Sequence, residues 1–338
     1  MNLRSQCNEQ KKSPSIGVIF HPSFPPSSLA EYARRAEVAG FDELWLWDDC
    51  FLPGAFSASA IALAATSRLK VGIGLLPVPA HNPLFAAMEI TTLAGAYPGR
   101  FLPGFGHGVR SWMEQIGSAP PSQLKALEET LAAVRGLLAG ELVSQRGTWV
   151  NLEQVRMEMI PSSAPPIYVG GIRAKTLHLS GRLADGTILT SQSSPQYIRW
   201  AVEQIHAGMA EGGRRNHRVA IYLDVKVDPD RQSARAAARR ALAERLPWDD
   251  VKLDAPGIRE EVADFLRTNK TMEEIVRNIP DAWVDAFTAA GAPDEVAEGI
   301  ISRFDAGADT VIFQPLNGDP DCLEEYIRYL KPLRDLAG

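Results

Sequence analysis

The chain has 338 residues, of which 45% are apolar and 22% charged, with a formal net charge of −6. These proportions belong to a globular protein with a substantial core and exclude a low-complexity or fibrous chain. The acidic balance, with no block of like charge, argues against nucleic acid or an anionic membrane as a general partner.

Residues 1–13 are polar and lack an apolar segment, so they read as a flexible arm rather than a signal peptide. No later run reaches the length of a membrane-spanning helix. Cys7, Cys50 and Cys322 are too far apart for a disulfide framework or a zinc site. Free thiols in a reducing, cytoplasmic setting are the expectation. From Ser15 onward the chain alternates. Strands are predicted at Ser15–Phe20, Glu43–Asp49, Leu69–Leu76, Arg100–Gly106, Pro166–Gly171, Gly186–Thr190, Val219–Val227 and Asp309–Pro315. Several are continuous apolar runs, as in Val311-Ile312-Phe313, the pattern of strands buried on both faces of a parallel sheet.

The intervening stretches carry helical periodicity. In Ser27–Gly40, Leu29, Tyr32, Ala33, Ala36 and Ala39 form one stripe, Ser28 and Glu31 suit a capping box, and Gly40 suits a terminating glycine. Further helices are predicted at Ser57–Ser67, Pro83–Gly95, Leu124–Leu138, Ala174–Ala184, Pro195–Ala210 and Pro293–Ala306. Eight strand–helix pairs are the arithmetic of an α/β (β/α)8 TIM barrel. An open doubly wound sheet is the alternative, but no GxGxxG follows the first strand. Insertions are expected after the fourth and seventh strands. Residues 141–160 would hold a small hairpin of Thr148-Trp149-Val150 against Val155-Arg156-Met157, and 246–289 would be mostly amphipathic helix. Residues 14–338 then form a single domain.

Barrel enzymes carry their chemistry where strands end. Asp48 and Asp49 close the second strand, and adjacent strand residues point opposite ways. One is expected to cap a helix while the other faces the pocket, with a structural role for both left open. After the fourth strand, His107 projects from Gly106 and Gly108 and is the best candidate for handling a proton or binding a carbonyl. The alternative is a histidine bonded to a barrel neighbour. Gly170-Gly171-Ile172 leads straight into a helix, whose first N–H groups make an anion cradle. Thr190, Ser191 and Gln192 after the sixth strand add donors. HExxH, CxxC and GxSxG are all lacking, so no metal site is expected and cofactor-borne chemistry fits best.

The blocks Ala36–Trp45, Thr66–Gly74, Tyr97–Phe101, and Pro165–Gly171 with Leu183–Gly186 occur together in one order. On these the chain resembles the luciferase-like oxidoreductases that use flavin mononucleotide (FMN) or the deazaflavin coenzyme F-420. The resemblance implies a non-proline cis peptide at Gly74–Leu75 beneath the cofactor ring. It implies a cofactor phosphate at Gly170, Gly171 and Ile172, and a ring beside Gly106 and Gly108. Asp48, Thr190 and Ser191 join the cofactor's surroundings, while Asp49 and His107 take the catalytic roles. Two departures stand out. Asp49 occupies the place of a histidine found in many deazaflavin members. Val109 stands where the family's sugar-phosphate dehydrogenases carry glutamate. The expected activity is hydride transfer between a small organic substrate and coenzyme F-420. The alternatives are an FMN monooxygenase with a flavin reductase partner, a flavin-binding protein without turnover, or an unrelated phosphate-sugar isomerase or lyase. The apolar helix Pro83–Gly95 suggests a homodimer.

Overall fold

Strand β1 (Ser15–Ile19), β2 (Glu43–Leu46), β3 (Lys70–Pro77), β4 (Phe101–Gly106), β7 (Tyr168–Gly170), β8 (Gly186–Leu189), β9 (Arg218–Val227) and β11 (Thr310–Pro315) pair in that order, every pair parallel. β11 returns to β1 through Ser15↔Thr310, which closes an eight-stranded barrel with helices between successive strands. The architecture is the expected (β/α)8 barrel. This computed structural model describes residues 13–246 and 250–330, so the proposed arm lies outside it except for its last residue. No helix among the described residues is long and apolar enough to cross a membrane.

Alternation along each strand sorts the side chains between two cores. Val18, Leu44, Val71, Phe105, Val169, Leu189, Ile221 and Phe313 face the helices and are buried there. Ile19, Trp45, Leu102, Tyr168, Ile188, Ala220, Tyr222 and Ile312 fill the lumen. Trp45 is its largest member, and its indole Nε1 donates to the buried Glu43 at 2.8 Å. A plugged lumen leaves only the rim at the strand carboxyl ends for chemistry.

Helix starts are set by local polar caps. Asn82, Ser122, Ser194 and Asp230 each accept a first-turn N–H, and Thr271 with Glu274 forms a full capping box. The box expected at Ser28 is absent: its hydroxyl donates to the Pro25 carbonyl instead, because a 3-10 turn at Pro26–Ser28 precedes the helix Leu29–Ala39. Gly40 does end that helix, at φ 98.

Both insertions differ in detail from expectation. The hairpin is present, but its strands are β5 (Val143–Arg146) and β6 (Asn151–Val155), with Thr148-Trp149-Val150 forming the connection. The reason is Glu129. This buried carboxylate accepts the N–H groups of Thr148, Trp149 and Val150 and so holds the turn against helix Gln123–Leu138. The described part of 246–289 carries four short helices up to Phe287, yet Thr288–Gly291 is a ninth strand of the main sheet, β10. It pairs with Asp224–Val227, the part of β9 that runs beyond β8. Helices Arg231–Arg245, Arg259–Thr268, Met272–Asn278 and Asp281–Phe287 share a small core of their own around Leu242, Val262, Ile275, Trp283 and Phe287.

Candidate active site

The rim begins with a shelf on β3. The Gly74–Leu75 peptide is cis, and β3 is irregular between Ile73 and Leu76. Tyr222 Oη, from across the barrel, donates to the Gly74 carbonyl at 2.8 Å. The Leu75 side chain lies over two glycines. A Cβ on Gly106 would stand 2.3 Å, and on Gly170 2.4 Å, from Leu75 Cδ2. A side chain at either position would have to displace Leu75, so three strands meet at one apolar surface only while both stay glycine. Gly108 turns the chain away at φ 69.

Beside the shelf, Gly170 and Gly171 lead into the helix Ala174–Leu183. The N–H groups of Ile172, Ala174 and Lys175 have no acceptor among the described residues. A Cβ on Gly171 would meet Thr176 Cγ2 at 2.4 Å, so this cradle too is formed by bare backbone. The Ile172 carbonyl accepts the Tyr197 hydroxyl at 2.6 Å, leaving its N–H for a ligand.

His107 stands behind the cradle. Its Nδ1 lies 3.2 Å from the Gln123 carbonyl and its Nε2 2.9 Å from Thr176 Oγ1. A carbonyl only accepts, so Nδ1 carries the proton and Nε2 accepts from Thr176. Burial lowers the ring's pKa, against the opposing pull of the Gln123 carbonyl. Both ring nitrogens of His107 are thus engaged by protein groups, one of them on the cradle helix.

The two aspartates diverge. Asp48 accepts the Ala55 N–H at the start of helix Ala55–Ala65 at 2.9 Å and His81 Nε2 at 2.7 Å. Burial opposes its ionisation, but the bonds from His81 and Ala55 prevail and its pKa falls. Both oxygens face protein rather than a cofactor. The Asp49 carboxylate has no hydrogen-bond partner among the described residues, although its backbone carbonyl accepts the Leu52 N–H at 3.2 Å. Burial, then the charge of Asp48, raises its pKa. Its charge is felt at Tyr222, whose hydroxyl is pushed well above the ordinary value, first by burial. Trp47 lies 6.1 Å from the Tyr222 ring and 5.0 Å from that of His21, which completes an aromatic wall facing the shelf. A separate apolar cavity of about 120 Å³ lies behind Trp47, between the loops that follow β1 and β2.

Thr190 and Ser191 are engaged by the insertion. Lys252 Nζ donates to Thr190 Oγ1 at 2.7 Å, to the Thr190 carbonyl at 3.2 Å and to the Ser191 carbonyl. Neighbouring Gln192, buried at φ 63, has an amide nitrogen without a partner among the described residues, so it is the freer donor of the three. The sequence reading missed Tyr222, Lys252, Asp224 and Arg245. One signal was available: Ala220, Tyr222 and Asp224 alternate on the lumen face of β9, and a carboxylate on a buried strand demands a partner.

The donor set suits a phosphorylated, flat-ringed ligand: a shelf no side chain obstructs, a cradle of free N–H groups, and an unpaired acid across the rim. The sequence profile of the luciferase-like monooxygenases matches residues 6–310, and the chain belongs to that family. It is 28% identical over 305 residues to 5,10-methylenetetrahydromethanopterin reductase of Methanolobus tindarius, covering 88% of this chain and 93% of the relative. It is also 28% identical over 333 residues to the F-420-dependent glucose-6-phosphate dehydrogenase of Nakamurella multipartita, covering 93% and 95%. Among solved structures, the coenzyme F-420-dependent tetrahydromethanopterin reductase from Methanopyrus kandleri superposes with a TM-score of 0.81 at 23% identity, covering 95% of this chain and 99% of that one.

Proposed function

We propose that this chain is an oxidoreductase that transfers hydride between a small organic substrate and coenzyme F-420. The observation that carries it is the Leu75 shelf over Gly106 and Gly170, continuous with the free N–H groups that open helix Ala174–Leu183. The F-420 dependence named for relatives that cover nearly the whole chain supports the choice of cofactor. A bound deazaflavin would supply two-electron hydride chemistry without oxygen activation. Leu75 supports the ring, and Ile172, Ala174 and Lys175 bind its phosphate through their N–H groups. Asp49, whose carboxylate has no partner among the described residues, takes or returns the proton of the substrate oxygen, and burial and the charge of Asp48 raise its pKa. His107 and Thr176 keep the cradle in place.

The protein is further proposed to act in the cytoplasm, with Cys50 and Cys322 as free thiols, and to form a homodimer. Ile61, Phe85 and Met88, on the helices following β2 and β3, are exposed apolar groups that support such a contact. Absorbance and fluorescence titration of the purified chain tests the cofactor. F-420 is expected to bind at least about tenfold more tightly than FMN, about 1.4 kcal/mol. Binding of FMN alone would move the protein to oxygen chemistry with a flavin reductase as partner. Binding of neither would remove the oxidoreductase reading.

A further inference from the structure

We infer that the substrate carries an oxyanion, a carboxylate or phosphate group, and that Arg245 receives it at the barrel rim. This rests on the oxidoreductase reading above, which leaves the substrate unspecified. Arg245 ends the helix Arg231–Arg245 of the insertion and reaches back over the barrel. Its Nη1 donates to both oxygens of Asp224, each at 2.8 Å, and lies 3.5 Å from Ser191 Oγ. Asp224 is 3% exposed and follows Ala220 and Tyr222 on the lumen face of β9. The guanidinium is thereby pinned to β9 two residues beyond Tyr222.

What is pinned is only one nitrogen. Nε and Nη2 have no acceptor among the described residues, and the side chain is 32% exposed. Arginine presents a planar fork of donors that matches carboxylate and phosphate oxygens. A fork held by a buried carboxylate on one side, with its other donors open, is organised before a ligand arrives. Its charge reaches His21 across the rim, where it adds to burial in lowering the histidine pKa. His21 packs on Trp47, and Trp47 on Tyr222, so the open donors, the aromatic wall and Asp49 border one space. Lys252 does not compete for this role. It is 1% exposed and spends its ammonium on Thr190 and Ser191.

The test uses the full chain, with and without F-420, in low-salt buffer. Inorganic phosphate and succinate serve as anionic probes and succinamide as the neutral control, followed by calorimetry. The wild-type chain is expected to favour the anions over succinamide by about tenfold or more. The pair Arg245→Met with Asp224→Asn, which removes both partners of the ion pair together, is expected to erase that preference while F-420 affinity changes by less than about threefold. Arg245→Lys should keep a weakened preference, and it decides the matter if the double variant does not fold. Equal binding of anions and succinamide in the wild type, or an unchanged preference in the double variant, overturns the inference. So does a parallel loss of F-420 affinity, which would assign the guanidinium to the cofactor's own anionic tail. Failure of the wild type to bind F-420 strikes the cofactor reading, whereas the anion titration strikes Arg245, so the two are read separately.

Discussion

Asp48 and Asp49 differ by one position in sequence and by nearly everything in environment. Asp48 spends both oxygens on Ala55 and His81, whereas the Asp49 carboxylate is half-buried, without a partner among the described residues, and next to the charge its neighbour retains. A carboxylate whose pKa is raised on folding destabilises the ionised native state. The folded chain binds the extra proton, so stability declines as pH rises from the unfolded pKa through the raised folded one. Asp49→Asn should therefore raise the melting temperature at pH 7 by about 2 °C, while lowering turnover about 10²- to 10³-fold once a substrate is in hand. Calorimetry and steady-state kinetics on one preparation check both signs. His107→Ala should behave differently. It releases Thr176, so the expected effect is a loss of about tenfold in cofactor affinity, read by fluorescence titration, with the pH profile of turnover unmoved.

The hairpin β5–β6 shows how one residue can order an element. Glu129 is 6% exposed, and three backbone N–H groups outweigh the cost of burying its charge and lower its pKa to about 2. A depressed carboxylate pKa stabilises the fold above the unfolded value near 4.5, and this contribution disappears as pH falls toward about 2. Glu129→Gln should cost about 1–3 kcal/mol at pH 7 and narrow its deficit at low pH, measurable by urea melts across that window. On the shelf, Gly170→Ala should abolish cofactor binding with little change in secondary structure. Its new methyl would meet Leu75 and tilt the surface that carries the ring. The return from the insertion depends on Arg303. Its nearly buried guanidinium bonds the carbonyls of Asp285, Ala286 and Thr288, closing the helix Asp281–Phe287 where β10 begins.

At the level of the whole molecule, the exposed apolar side chains of the second and third barrel helices are the surface to test for self-association. Phe85 is 64% exposed and Met88 46%. The pair Phe85→Glu and Met88→Glu should convert a dimer to a monomer in light scattering, and an unchanged mass would remove this face from the homodimer proposal.

Much of the barrel was legible because its information is local. Strand runs such as Ile167-Tyr168-Val169, helical stripes such as Leu29–Ala36, and the glycines at 74, 106, 170 and 171 announce themselves within a few residues. The bare backbone of the rim follows as geometry, since a glycine at a strand end leaves room for close approach. What stayed hidden depends on partners distant in sequence. Thr288–Gly291 reads as the tail of a helix and becomes a strand only because β9 outruns β8 and offers an unpaired edge. His107 reads either as a proton-handling imidazole or as one bonded to a barrel neighbour, and the neighbour, Thr176, lies 69 residues on. Arg245 is one cation in a basic helix until Asp224 pins it over the lumen. Periodicity and turn chemistry are written in neighbouring residues. The protonation and orientation of a side chain at the rim are set by whatever distant segment excludes water from it, and folding alone brings that segment there.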